Sequence, residues 1–189
     1  MSTCYKIDEK DGIYYLTFQI VEWVDIFTRK IYRDLLLESL NYCMNSKGLV
    51  IYAFVIMSNH IHLLAESKTE DLSGTIRDFK KFTSKKIIEI IESGSKSRER
   101  WMLSIFRKAT LKHNRNTNYQ VWTHDNHAEL IYSEKFIDQK LDYIHENPVR
   151  AGWVVRPEDY IYSSASNYIS DNGVLNVEVM YQRWKTYGK

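Results

Sequence analysis

Residues 49–67 read LVIYAFVIMSNHIHLLAES. Two apolar, β-prone runs separated only by Ser58 and Asn59 specify an antiparallel hairpin, because a two-residue polar break is a turn and not a linker. LVIYAFVIM (49–57) is expected to be a buried strand and HIHLLAES (60–67) its partner. Side chains alternate along a strand, so His60 and His62 share one face while Ile61 and Leu63 turn to the other. Two imidazoles on one face, about 6–7 Å apart along the strand, can converge on one divalent ion, for which imidazole is the commonest nitrogen ligand.

The flanking sequence supplies the rest of a sheet and its helices. IYYLTFQIVEWVDIF (13–27) reads as a strand, and Thr28 as the N-cap of a helix with apolar Ile31, Leu35, Leu36, Leu40 and Cys43. Gly48 suits its C-terminal stop. Asp71 and Ser73 are candidate caps for a helix to about Glu92, with Ile76, Phe79, Thr83, Ile87 and Ile90 inside and Lys81 and Lys85 on an outer stripe. SGSKSRER is a charged break, WMLSIFRKATL a short helix, and NYQVW (118–122) a last strand. Ser133 caps EKFIDQKLDYIHEN, a helix that Pro148 is expected to close. The order is β-α-β-β-α-β with one further helix. That predicts an α+β fold, a ferredoxin-like (split βαβ) antiparallel sheet with helices on one side plus an additional C-terminal helix. One domain over 1–189 is expected, with a core of about 12–150, a basic insertion of about 94–118 and an extension over 151–189.

Bulk properties narrow the function. The chain carries a formal net charge of +2, yet Arg77 to Arg115 holds 12 Lys and Arg against 4 Asp and Glu. A basic segment of local charge +8 on a body of −6 is the usual footprint of a phosphate-backbone binder, and is also what a solvated helix face followed by a charged loop would give. Some of the 14 Tyr, 5 Trp and 7 Phe could stack on unpaired bases. No apolar run approaches the roughly 20 residues that span a bilayer, and MSTCYKIDEKDG lacks a signal-peptide core. Cys4 and Cys43 alone offer neither a disulfide framework nor a zinc knuckle, so a reducing cytoplasm is expected.

In the last long helix Tyr143 and Asn147 lie four residues apart and so on one face, which Lys140 and Phe136 extend. Ile137, Leu141 and Ile144 form the apolar stripe beside it. A tyrosine hydroxyl, with a pKa near 10, is a poor nucleophile unless helped. A divalent ion on a phosphodiester neutralises charge and fixes an in-line geometry. Two His and one Asn fill part of a coordination sphere, with phosphate and water completing what Mg²⁺ or Mn²⁺ prefers. Attack by Tyr143 would then leave a phosphotyrosyl link.

FVIMSNHIHLL followed by YIHENPVRAG closely resembles the single-tyrosine HUH transposases of bacterial insertion sequences, and most of all their REP-associated branch. The resemblance runs over about residues 12–168. It implies that Tyr143 is the nucleophile, forming a 5′-phosphotyrosine and releasing a 3′-OH on single-stranded DNA, and that His60 and His62 hold Mg²⁺ or Mn²⁺. Asn147 stands where better-known relatives have a Gln ligand, as in the REP-associated branch, and reaches one methylene less far. It also implies DNA hairpins as substrate. Backbone contacts are expected from Arg77, Lys80, Lys81, Lys85 and Lys86, with Lys140 beside the tyrosine. Arg150 either meets a phosphate or braces the helix end. The segment 94–118 either reads the hairpin or covers the site. Relatives include monomers and homodimers that exchange the tyrosine helix, and a transposase bound to DNA would be nucleoid-associated. His124, His127 and His145 are taken as structural. Two other readings stand beside this one: a domesticated, non-cleaving binder of structured single strands, and a small metallohydrolase using His60 and His62 to activate water.

Overall fold

The computed structural model describes residues 7–111, 118–124 and 127–180. Strands β1 (Tyr14–Gln19), β2 (Leu49–Ile56), β3 (His60–Ser67) and β4 (His127–Leu130) form one antiparallel sheet in the order β2-β3-β1-β4. Helices α1 (Lys30–Lys47) and α2 (Leu72–Glu92) are the crossovers, so this is the expected ferredoxin-like arrangement. α3 (Ser97–Thr110) follows α2, and α4 (Glu134–Arg150) and α5 (Ala165–Ser170) follow the sheet. No helix among the described residues is long and apolar enough to cross a membrane.

The turn at Ser58–Asn59 closes as a tight hairpin, with the Met57 amide donating to the His60 carbonyl over 2.8 Å. Register then sorts the side chains. Leu16 lies opposite Leu63 and Phe18 opposite Ile61, all four fully buried, with the Phe18 ring meeting Phe79 of α2. Thr17 lies opposite His62 and Gln19 opposite His60, on the reverse face. Burial of each large apolar side chain such as Phe18 contributes about 1.5–3 kcal/mol relative to exposure. The expected ends hold in several places. Asp71 accepts from the Gly74 amide at 2.8 Å and Ser133 from Phe136 at 3.3 Å. Gly48 ends α1 at φ +70°, where an added Cβ would sit 2.8 Å from the Thr69 methyl.

Four expectations need correction. The strand read over 13–27 stops at Gln19, because the chain turns through Glu22 (φ 51°) and Trp23 (φ 55°). Two successive non-glycine residues in this region cost on the order of 1–3 kcal/mol each. Thr28 is not the cap of α1: its hydroxyl closes a 3-10 turn onto the Asp25 carbonyl, and Arg29 occupies the cap without a side-chain bond. NYQVW is not the last strand. It meets the end of β1 through one bridge, Ile20 to Trp122, because Trp122 is buried against Phe27 and Phe79 and its indole donates to Thr83. The fourth strand is the short HAEL. Pro148 does not close α4, which runs to Arg150, since a proline in the last turn forfeits only one backbone bond.

Beyond α4 the chain returns along the outer edge of β2. Ser163 bridges Val55, the Ile56 amide donates to Tyr162, the Tyr160 hydroxyl to Ile56 and the Glu178 amide to Ile51. An open strand edge is thereby covered. Ser164 is fully buried at its centre, taking the Phe54 amide at 2.9 Å while its Oγ lies 2.8 Å from His145 Nε2 of α4. This fastens the helix that carries Tyr143 to the sheet.

Of the features read from sequence, Cys4, residues 112–117 of the basic insertion and residues 181–189 of the extension lie outside the described residues. The described part of that insertion is mainly α3.

Candidate active site

On the face of β3 away from α1 and α2, the His60 and His62 rings lie 4.8 Å apart between centroids, nearly perpendicular at 74°. Each ring has one nitrogen held. His60 Nδ1 is 2.6 Å from Asn59 Oδ1, and the Asn59 amide nitrogen donates to the Trp23 carbonyl at 3.3 Å. A carbonyl oxygen can only accept, so His60 Nδ1 carries the hydrogen and Nε2 its lone pair. His62 Nδ1 lies 2.8 Å from both the Tyr15 and the Thr17 hydroxyls of β1. Its Nε2 is buried and has no hydrogen-bond partner among the described residues. Burial is the main reason the His62 imidazole is held at about 3, with His60, Lys140, His127 and Arg150 adding to it, so the ring is neutral near pH 7. Burial also lowers the pKa of His60. A buried neutral imidazole with a tethered Nδ1 and an unused Nε2 is the form in which histidine binds a metal.

α4 brings the tyrosine to this face of its own chain. Leu141 and Ile144, fully buried, seat the helix, and Tyr143 remains 39% exposed. Its ring stands 5.3 Å from that of His62 and 6.1 Å from that of Tyr15, edge-on to both. The Arg150 guanidinium lies 4.7 Å over the Tyr143 ring and donates to the Tyr143 carbonyl at 3.0 Å. Arg150 thus braces the helix end while keeping its charge beside the hydroxyl-bearing ring. Asn147 is on the same face but turned back: its Nδ2 donates to the Tyr143 carbonyl at 2.7 Å. The described residues contain no cluster of three or more His, Cys, Asp or Glu that could hold a metal.

The other expected site residues divide. Lys140 pairs with Glu129 at 2.7 Å, with only 15% and 23% of the two side chains exposed, and its ammonium lies 4.1 Å over the Tyr15 ring. It thereby braces Tyr15, the partner of His62. Burial alone would raise the Glu129 carboxyl, but hydrogen bonds from Lys140 and His127 hold it below its ordinary value. Arg77, Lys80 and Lys81 line a groove of about 380 Å³ between α2 and the segment 119–124. Lys80 donates to the Thr123 carbonyl there. Lys85 and Lys86 lie outside this groove, both paired with Glu89, and Lys86 borders an apolar cleft between α1 and α2 instead. His145 is structural, as expected: it is buried, packed edge-on against Tyr168, and lowered to about 4 mainly by that burial. Three residues beside the site escaped sequence reading: Tyr15, Thr17 and Trp23. The alternation of β1 groups Tyr15 with Thr17, but only the register joins them to His62.

The chain matches the family model for IS200-like transposases over residues 13–147, from β1 through Asn147. A solved REP-associated tyrosine transposase bound to a REP hairpin has the same fold, with TM-score 0.58 and 19% sequence identity over 90% of this chain and 86% of that one. No curated protein matches. The hairpin with two same-face histidines and the tyrosine helix docked on them therefore sit within a recognised framework, and the chain belongs to the IS200-like transposase family.

Proposed function

We propose that this transposase is a metal-dependent single-stranded DNA nickase and strand transferase that works through Tyr143, in the manner of the REP-associated branch. The observation that carries the reading is the edge-on approach of the Tyr143 ring to His62, whose buried Nε2 has no partner among the described residues. The donor set fits a divalent ion. His60 and His62 would hold it through Nε2, and Asn147 would add an amide oxygen after a rotation that frees its side chain from the Tyr143 carbonyl. When bound, Mg²⁺ or Mn²⁺ neutralises charge on the scissile phosphate and polarises phosphorus.

The chain's own groups do the rest. The Tyr143 oxygen attacks phosphorus, the bond from phosphorus to the 3′ oxygen breaks, and the phenolic proton passes, directly or through water, to the departing 3′ oxygen, leaving a 5′-phosphotyrosine and a free 3′-OH. Arg150 places a permanent positive charge beside that oxygen's ring. Tyr15 and Thr17 fix the orientation of His62. The groove lined by Arg77, Lys80 and Lys81 suits a phosphate backbone, and the hairpin bound by the structural neighbour supports hairpin DNA as the substrate class.

Incubation with labelled hairpin DNA and Mn²⁺ tests this through the covalent adduct. Tyr143→Phe should abolish the adduct and leave hairpin binding intact. An adduct in the Phe variant would remove Tyr143 from the role, and an adduct undiminished by chelator would remove the metal. Hairpin binding by the parent chain with no adduct would identify a non-cleaving binder.

A further inference from the structure

We propose that Trp23 is the platform on which an unpaired nucleobase next to the scissile phosphate stacks. The proposal rests on the strand-transfer reading above and assigns the residue that grips the flanking nucleotide. Trp23 is 63% exposed, the most exposed tryptophan among the described residues. An indole is large and apolar, and burial against the core is its ordinary fate. Here it stands at the site instead, with its ring 6.5 Å from that of His60. The two rings meet at 79°, so neither covers the other.

The backbone is forced to present it. Glu22 and Trp23 adopt φ of 51° and 55°, a region that non-glycine residues rarely enter, and never two in a row without support. The support is visible on both sides. The Trp23 carbonyl accepts from Asn59 Nδ2, and the same Asn59 holds His60 Nδ1 through Oδ1. Two residues on, the Asp25 carboxylate takes the Arg98 guanidinium of α3 at 2.8 Å. Arg29, just past the turn, pairs with Glu99 at 2.7 Å, so two ion pairs lock α3 over the segment. Backbone strain that persists because its surroundings impose it is a mark of ligand clamps. An exposed indole beside a phosphodiester site has one evident partner, since every base presents a flat π-face and aromatic platforms hold single strands without reading sequence.

The test uses the full chain in EDTA, so that no cleavage occurs, with DNA hairpins carrying oligothymidylate tails or matched abasic tails. Binding is read by fluorescence anisotropy. Trp23→Ala should weaken the thymidylate-tailed hairpin by about 5- to 150-fold, and Trp23→Phe should recover most of the loss. The abasic-tailed hairpin should bind the parent and the Ala variant alike. Equal affinity of parent and Ala variant for the thymidylate tail overturns the proposal, as does an equal loss on the abasic tail, or a parent that binds neither. Adduct formation at Tyr143 is scored separately. If the parent forms none while the base-dependent loss stands, strand transfer falls and the platform survives. An adduct with unchanged affinities gives the reverse.

Discussion

Removing the hydroxyls that hold His62 should uncouple its ring from the strand beside it, and the size of the effect follows from the two contacts. Tyr15→Phe and Thr17→Val each delete one oxygen and preserve shape. Either oxygen alone, at 2.8 Å from Nδ1, still satisfies that nitrogen, so each single variant should be close to the parent. The double variant leaves the buried Nδ1 with no hydrogen-bond partner, which costs about 1–3 kcal/mol. For a domain of this size that is a fall in melting temperature of about 2–12 °C. The same loss frees the ring to turn, and partners of this kind are worth roughly 10- to 100-fold in metal affinity. Calorimetric titration with Mn²⁺ and a thermal melt on all four proteins measure both. The reasoning fails if one single substitution matches the double in either assay, or if the double variant binds Mn²⁺ like the parent.

Two further outcomes are expected. His145, lowered to about 4 in the fold against about 6.5 in an unfolded chain, binds no proton in the folded state between those values while the unfolded chain does. Folding stability therefore falls as pH drops from about 6.5 to 4, by about 3 kcal/mol from this group. His145→Gln should flatten that part of a urea-unfolding series; parallel curves for the two proteins would reject it. Lys140→Gln should cost about 1–3 kcal/mol in stability by leaving Glu129 short of a partner. The salt dependence of hairpin binding should stay unchanged, and a slope reduced by about one would make Lys140 a phosphate contact after all.

What the sequence made legible was local. His60 and His62 share a face because a strand alternates, and Tyr143 and Asn147 share one because a helix turns; both patterns can be read within ten residues. The hydroxyls on His62 could not be read that way, since they lie 45 and 47 residues away and meet it only through the pairing of β1 with β3. The fourth strand was misplaced for a related reason. NYQVW has the stronger β composition, but its tryptophan is drawn into the α2 side of the core, and the pairing falls to HAEL, whose four residues carry almost no pattern. The basic segment was visible as charge, yet only packing separates Arg77, Lys80 and Lys81 from Lys85 and Lys86. Trp23 was hidden inside what read as one long strand, because the left-handed turn that exposes it leaves no glycine as a sign.

The tie from His145 through Ser164 to Phe54 sets what an exchange of α4 between molecules would have to break. It fastens α4 to the sheet of its own chain and brings Tyr143 to the histidines of the same molecule. Trading α4 between two molecules would first require either His145 to leave Ser164 or Ser164 to leave Phe54. The fold thus places a toll on exchange in the buried contacts that hold α4 at the edge of β2.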